Sequence, residues 1–97
     1  MTLKIVRSTF ADRDLAQVWS HIAADNVIAA DGMIRAIDDT LKKLAESPGL
    51  GIRLDDVVPG LMCKPVRRKY LIFYSVTGDE LRLLRMLHSS RNYEEVF

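Results

Sequence analysis

Residues 70–92 of this chain read YLIFYSVTGDELRLLRMLHSSRN. Two apolar runs, 70–76 and 81–87, are separated by the polar segment Thr77-Gly78-Asp79-Glu80, whose length is typical of a β-hairpin loop. The stretch therefore predicts two antiparallel strands. Cationic side chains and a histidine flank them, at Arg67, Arg68, Lys69, His88 and Arg91.

The residues before this stretch predict a helical hairpin. From Ala11 onwards apolar residues recur every three or four positions, at Leu15, Val18, Trp19, Ile22 and Ala23. This is the pattern of an amphipathic helix, and a second such segment runs from Ala30 to Ala45 before the helix-breaking Ser47-Pro48-Gly49. A short loop joins the two helices, so we expect them to be antiparallel neighbours. Trp19 lies on the apolar stripe and is expected to pack between them.

Two further strands complete the predicted order. Residues 3–7 form a short run rich in β-branched side chains, and residues 61–66 follow the Pro59-Gly60 turn signal. The segment 50–58 has no clear period and is expected to be a connector. The order β-α-α-β-β-β predicts an α+β fold of one domain, residues 1–97, with an antiparallel twisted sheet and the helical hairpin packed on one face.

Composition excludes several classes of protein. The chain has 97 residues, 48% of them hydrophobic and 28% charged, which is typical of a folded soluble domain. A net charge of +1 implies no global attraction to membranes or nucleic acid, so we expect no sequence-specific DNA binding by this chain alone. A single cysteine excludes an internal disulfide, and the absence of a signal segment favours the cytoplasm. No motif indicates a metal or a cofactor.

The predicted hairpin contains more apolar surface than one covered face needs. Leu71, Phe73 and the outward-facing residues of 81–87 would lie opposite the helices. A second apolar face is therefore expected to be open and to receive a partner.

The chain resembles the RelE/ParE superfamily of bacterial toxins, and most closely its ParE branch. The resemblance covers almost the whole chain and rests on the order and spacing of several motifs rather than on one of them. These motifs are ADRDL at 11–15, LAESPGLG at 44–51, PGL at 59–61, RKYLIFYSV at 68–76 and LLRMLHSSRN at 83–92.

The resemblance implies the toxin of a type II toxin-antitoxin system, of the kind associated with plasmid stabilization. Its partner would be a ParD-like antitoxin encoded beside it, whose C-terminal segment wraps the helices and the sheet. ParE-like members poison DNA gyrase, whereas RelE-like members cut messenger RNA on the ribosome. A third interpretation is a non-toxic remnant that only binds the antitoxin.

The residues expected in a RelE-like nuclease are mostly missing. RelE-like enzymes use sheet lysines and arginines and a tyrosine near the C-terminus to move protons and stabilise the phosphate. Aligned with that pattern, Lys64 and Arg91 are retained, while Met62 and Leu71 replace cations and Phe97 replaces the tyrosine. A nuclease would have to use Lys64, Arg67, Arg85 and Arg91, and the resemblance therefore favours the gyrase-binding branch.

The candidate partner-binding residues are Arg67, Arg68, Tyr70, Arg85, His88 and Arg91. Each also has a structural interpretation. Arg85 either pairs with Asp12 or Asp14, or stacks on Tyr70 or Tyr74, or contacts a partner. His88 at a strand end is typical of a hydrogen-bonding residue. The basic turn at 67–69 is either solvated or bound, and Arg91 is the strongest candidate for a partner contact.

Overall fold

The computed structural model describes residues 2–97. Two helices precede most of the sheet, and two short 3₁₀ turns, at Pro48–Leu50 and Tyr93–Glu95, follow the second helix and the last strand. The elements are β1 (Lys4–Arg7), α1 (Thr9–Ala23), α2 (Val27–Glu46), β2 (Ile52–Arg53), β3 (Met62–Val66), β4 (Tyr70–Thr77) and β5 (Glu80–His88). The α+β prediction is confirmed. No helix within residues 2–97 is both long and apolar enough to cross a membrane.

Side-chain caps fix where both helices begin. The hydroxyl of Ser8 accepts a hydrogen bond from the backbone N–H of Ala11 at 3.0 Å, and the Asn26 side chain accepts one from Ala29 at 3.0 Å. Each cap satisfies a donor that the first helical turn leaves free. Trp19 does not lie between the helices as expected. It is 39% exposed, and its indole N–H donates to Asp31 of α2 at 2.9 Å across the outer surface of the hairpin.

The sheet is mixed rather than wholly antiparallel. Its strand order is β1-β5-β4-β3-β2, and β1 pairs in parallel with β5 while the other pairs are antiparallel. Three successive reversals leave β5 antiparallel to β2, and β1 runs in the same direction as β5. The segment 50–58, expected to be an irregular connector, contains β2, which pairs only with Met62 and Cys63.

The main core lies between the helical hairpin and one face of the sheet. Ile37, Leu44, Leu81 and Leu83 are fully buried there. Tyr74 is also buried, and its hydroxyl donates to the carbonyl of Pro48 at 2.6 Å and accepts the N–H of Gly51 at 3.1 Å. A β-carbon at residue 51 would overlap the Tyr74 hydroxyl, so glycine is required where the chain leaves α2.

The opposite face of the sheet is covered by the chain itself. Phe73 and Leu87 are buried beneath the segment 54–61 and the C-terminal segment 93–97. The Phe73 ring contacts the rings of Tyr93 and Phe97, with centroid distances of 5.3 and 5.1 Å. The expectation of an open apolar face is therefore wrong, because the apolar side chains of the C-terminal segment fold back onto it.

Candidate functional site

A β-bulge in β5 interrupts its regular pairing with β4. Phe73 lies opposite Arg85 and Tyr74 lies opposite Leu83, so Leu84 has no partner in β4. Bulges of this kind redirect side chains at the edge of functional surfaces. The Asp14 carboxylate on α1 receives both donors of Arg85, Nε at 2.7 Å and Nη2 at 3.1 Å, together with the backbone N–H of Met86 at 2.9 Å.

Arg85 pairs with Asp14, one of the two acids considered for it. Asp14 is only 6% exposed, so its charge is satisfied entirely by these donors. The hydrogen bonds from Arg85 to Asp14 raise the pKa of the guanidinium further above its ordinary value. The Arg85 guanidinium also lies 5.6 Å from the centre of the Phe10 ring, rather than against Tyr70 or Tyr74. Asp12, the other acid considered for Arg85, pairs with Arg7 at 3.1 Å.

Beside this ion pair lies a cavity of about 490 Å³ between α1 and the end of β5, which we call the histidine pocket. It brings together three predicted partner-binding residues, Tyr70, His88 and Arg91, with three that sequence reasoning missed, Gln17, His21 and Ser90. Asp14 also lines it, but that carboxylate is already neutralised by Arg85.

His88 is held in place at the mouth of the histidine pocket. Its Nδ1 accepts the backbone N–H of Ser90 at 3.1 Å and lies 2.7 Å from the Ser90 hydroxyl. Because Nδ1 is an acceptor in this arrangement, the neutral ring carries its proton on Nε2. The ring also packs edge-on against Tyr70, with centroids 5.3 Å apart. His88 therefore has the hydrogen bond that the structural interpretation expects, while the ring remains exposed.

A larger cavity of about 800 Å³ continues from the histidine pocket, and we call it the groove. It lies between the tip of the helical hairpin and the β3–β4 turn, and shares His21, Tyr70 and His88 with the histidine pocket. Its floor is apolar and its rim cationic. The floor contains Ile22, Ile28, Ala29 and Met33, and the rim contains Arg35, Arg67, Arg68 and Lys69.

Some of the apolar and cationic side chains that line the groove are exposed or unpaired within residues 2–97. Ile28 is 80% exposed, the largest exposure among the large hydrophobic side chains. None of the four rim cations forms an ion pair with an acidic side chain of residues 2–97. Asp25 is the one acidic residue among those that line the groove. The arrangement suits a ligand with an apolar side and several negative charges.

The nuclease candidates do not share one site. Arg67 lines the groove and Arg91 lines the histidine pocket, while Arg85 is bound to Asp14. Lys64 lies on β3 opposite Ile72, half-buried. Phe97, at the position of the catalytic tyrosine in the resemblance, packs against Phe73.

The part of the chain that the structure describes offers no metal centre. Within residues 2–97 no group of three His, Cys, Asp or Glu side chains is placed to hold an ion. The free Cys63 is buried on β3, and burial raises the pKa of its thiol to about 11. It therefore stays a neutral thiol near neutral pH, as expected of a packed small hydrophobe.

Sequence reasoning missed the groove floor because its residues come from two helices. Ile22 lies on the apolar stripe of the first helix, which the sequence predicts to pack in the core, and Ile28 precedes the second apolar segment, which is predicted to begin at Ala30. The available signal was the pair of apolar residues 27 and 28 at the start of α2, immediately after the Asn26 cap. An apolar side chain there extends past the partner helix and cannot be covered by it.

The chain is similar to known proteins both in sequence and in fold. The family model described as ParE toxin of type II toxin-antitoxin system, parDE, matches residues 5–93. No curated protein matches the sequence significantly. Among solved structures, the chain is similar to one from the chromosomal ParDE toxin-antitoxin system of P. aeruginosa, with a TM-score of 0.75 and 20% identity over 90% of this chain and 96% of that one.

Two other solved structures share the fold. A RelBE toxin-antitoxin complex from Mycobacterium tuberculosis matches with a TM-score of 0.61 and 23% identity, over 91% of this chain and 99% of that chain. A conserved hypothetical protein from Helicobacter pylori matches with a TM-score of 0.62 and 20% identity, over 92% of this chain and 97% of that chain.

Proposed function

The chain belongs to the ParE toxin family of type II toxin-antitoxin systems, and from this premise we propose that it inhibits DNA gyrase and is neutralised by a ParD-like antitoxin bound in the groove. The proposal assigns different partners to two adjoining surfaces, which share His21, Tyr70 and His88. The groove receives the antitoxin, and the exposed histidine pocket with Arg91 contacts the target. No step of this mechanism requires a catalytic residue.

The exposed apolar floor beneath unpaired cations is the observation that supports antitoxin binding in the groove. An amphipathic helix that lays Leu, Ile or Val on Ile28 and Met33 would bury the exposed apolar surface. Acidic residues on its flanks would then face Arg67 and Arg68. Solved structures of similar fold come from the ParDE and RelBE toxin-antitoxin systems, which supports an antitoxin as the partner.

Strand addition at the free part of β3 is the less favoured mode of binding. β2 pairs only with Met62 and Cys63, so the outer edge of β3 from Lys64 to Val66 has no strand beside it within residues 2–97. Pro65 lies in this edge and has no N–H to donate to an added strand. The groove therefore provides the larger contribution to antitoxin binding.

Ile28→Glu tests the antitoxin surface, with Val27→Glu as its matched control. Both side chains are exposed at the start of α2, at 80% and 53%, but only Ile28 lines the groove. We expect Ile28→Glu to weaken binding of the antitoxin, measured by titration calorimetry, by about 30-fold or more, because it places a charge on the apolar floor. Equal losses in both variants would argue against the groove.

The gyrase target is supported by the family and by the dispersed nuclease candidates. A phosphate-cleaving site needs convergent cations and a proton donor. Here Arg85 is bound to Asp14 and a phenylalanine packs where the resemblance places the tyrosine. A binding toxin does not depend on either feature.

Induction of the chain in bacteria without its antitoxin tests the target. We expect growth arrest, filamentation and the SOS response with intact messages, and purified protein should accumulate cleaved DNA in the presence of gyrase and ATP. Rapid message cleavage without SOS would instead favour a RelE-type ribonuclease, and the absence of arrest would favour the non-toxic remnant.

Arg91→Ala tests whether the histidine pocket contacts the target. Arg91 is exposed and forms no ion pair within residues 2–97, so its loss should leave the fold intact. We expect about tenfold less gyrase-dependent cleavage, with Arg82→Ala, on the opposite face of the sheet, as the control. Unchanged cleavage in Arg91→Ala would place the target contact elsewhere.

A further inference from the structure

The turn between β3 and β4 is made of residues that disfavour its backbone. Arg67 and Arg68 have φ angles of 51° and 59°, and the N–H of Lys69 donates to the carbonyl of Val66 at 3.1 Å. Two successive positive φ angles are the pattern of a type I′ turn, which strongly favours Asn-Gly. Long side chains at both positions are strained.

Contacts from β5 and the loop after it hold the turn in this conformation. The N–H of Ser89 donates to the carbonyl of Lys69 at 2.8 Å, and the Ser89 hydroxyl donates to the carbonyl of Arg68 at 3.3 Å. A strained turn persists only when its surroundings fix it in this way, and such turns cluster at ligand clamps.

The strained backbone directs both arginines to the groove. Both residues line it, and a β-carbon built on Gly32 of α2 would lie 3.8 Å from Nη1 of Arg67. The Arg67 guanidinium therefore lies beside Gly32, on the helix that forms one wall. Neither guanidinium forms an ion pair or a side-chain hydrogen bond with a carboxylate of residues 2–97.

The side chains that line the groove favour a protein helix over nucleic acid as its ligand. A guanidinium binds a carboxylate through two parallel hydrogen bonds, and carboxylates three or four residues apart lie on one side of a helix. Single-stranded nucleic acid prefers exposed aromatic rings on which bases stack. The floor here is aliphatic. Of the aromatic residues that line the groove, Tyr70 is 5% exposed, the His88 ring is held edge-on against it, and His21 is the third.

We propose that Arg67 and Arg68 form a preset arginine fork that binds two acidic side chains on one face of the antitoxin helix, and that the strained turn is retained because it aims both guanidinium groups at that helix. This inference rests on the proposed function and adds to it the residues that bind the acidic side chains of the partner. The strained turn thus lowers the stability of the fold but orients the side chains that recognise the partner.

The double variant R67N/R68G tests both parts of the inference. It installs the favoured turn sequence and removes the fork. The probe is the proposed ParD-like antitoxin, titrated against the full chain. We expect the variant to melt about 5 °C higher and to bind that antitoxin about 30-fold more weakly.

Two further variants serve as controls. R67K/R68K keeps the charge but loses two-point hydrogen bonding, so we expect an intermediate loss of about fivefold. R53N/R82N removes the same number of charges from exposed arginines paired with Asp55 and Glu80, outside the groove, and should bind as the parent does.

The outcomes separate this inference from the proposed function. Parent-like affinity of R67N/R68G would overturn the fork while leaving antitoxin binding intact, and a lower melting temperature would overturn the claim of strain. Failure of the parent chain itself to bind the antitoxin would overturn the proposed function. Loss of oligonucleotide binding, with antitoxin affinity unchanged, would reassign the arginines to nucleic acid.

Discussion

The two faces of the sheet are both apolar, but different forces fix what covers them. On the helix-covered face, polar groups connect distant elements: Asp14 of α1 binds Arg85 and Met86 of β5, and Tyr74 of β4 binds Pro48 and Gly51. On the opposite face, the C-terminal segment meets Phe73 through ring contacts. Hydrogen bonds specify one arrangement, whereas apolar contacts tolerate several. The helix-covered face should therefore be the rigid one.

Asp14→Ala should have the largest effect and tests the rigid face directly. The change leaves the partly buried Arg85 guanidinium and the buried Met86 N–H without their acceptor. Removing one partner of a buried ion pair typically costs about 3–5 kcal/mol in the free energy of unfolding. Urea unfolding followed by circular dichroism measures it.

Asp12→Ala is the control for this prediction. Asp12 lies on the same helix, and its ion pair with Arg7 is exposed, with side-chain exposures of 55% and 57%. Exposed pairs contribute about 1 kcal/mol or less. If both variants lost the same stability, the buried pair would not distinguish this face of the sheet.

Tyr74→Phe should have the next largest effect. It leaves the carbonyl of Pro48 and the N–H of Gly51 without their hydrogen-bond partner, at a cost of about 2 kcal/mol. Tyr93→Phe is the matched change on the opposite face, where the ring contacts Phe73, and it should be nearly neutral. Thermal unfolding of the two variants compares them, and equal losses would contradict the contrast between the faces.

Much of this architecture could be predicted from the sequence, because it depends on local pattern. The apolar period of 70–76 and 81–87 predicts β4 and β5 to within one residue. The pairing of Arg85 with Asp14 was one of the alternatives, beside pairing with Asp12, stacking on Tyr70 or Tyr74, and contact with a partner. The parallel pairing of β1 with β5 could not be read, since no turn links the two strands.

The errors concern what covers a surface rather than what forms it. Trp19 was expected inside the hairpin, but its indole N–H finds Asp31 at the surface, a choice that apolar periodicity does not encode. The second apolar face was expected to be open because the helical hairpin covers only one face of the sheet, whereas the segments 54–61 and 93–97 cover the other. The groove depends on the β3–β4 turn approaching α2, and no sequence pattern reports that distance.

Phe97→Ala should have a smaller effect and tests the adaptable face. Phe97 is half-buried, so loss of its ring contact with Phe73 should cost about 1–2 kcal/mol in the free energy of unfolding, less than for a fully buried phenylalanine. Phe10→Ala, at a ring that is 60% exposed, is the control. Stability should be measured together with amide hydrogen exchange, which we expect to rise in β4 only for Phe97→Ala.

Cys63 lies on the face that the C-terminal segment covers, and ionisation of its thiol should have the smallest effect on stability. Burial raises the pKa of its thiol to about 11, against about 8.5 for a free cysteine. Because the folded pKa lies above the unfolded one, this contribution to stability is complete below the unfolded pKa and is lost as the pH rises through about 11.

Native protein should therefore be alkylated by iodoacetamide far more slowly at pH 8 than urea-unfolded protein. In Phe97→Ala the native rate should rise, since Cys63 belongs to the cluster that the C-terminal segment covers. A fast native rate in the parent chain would mean that this segment leaves the face often, and that the second face is open in solution.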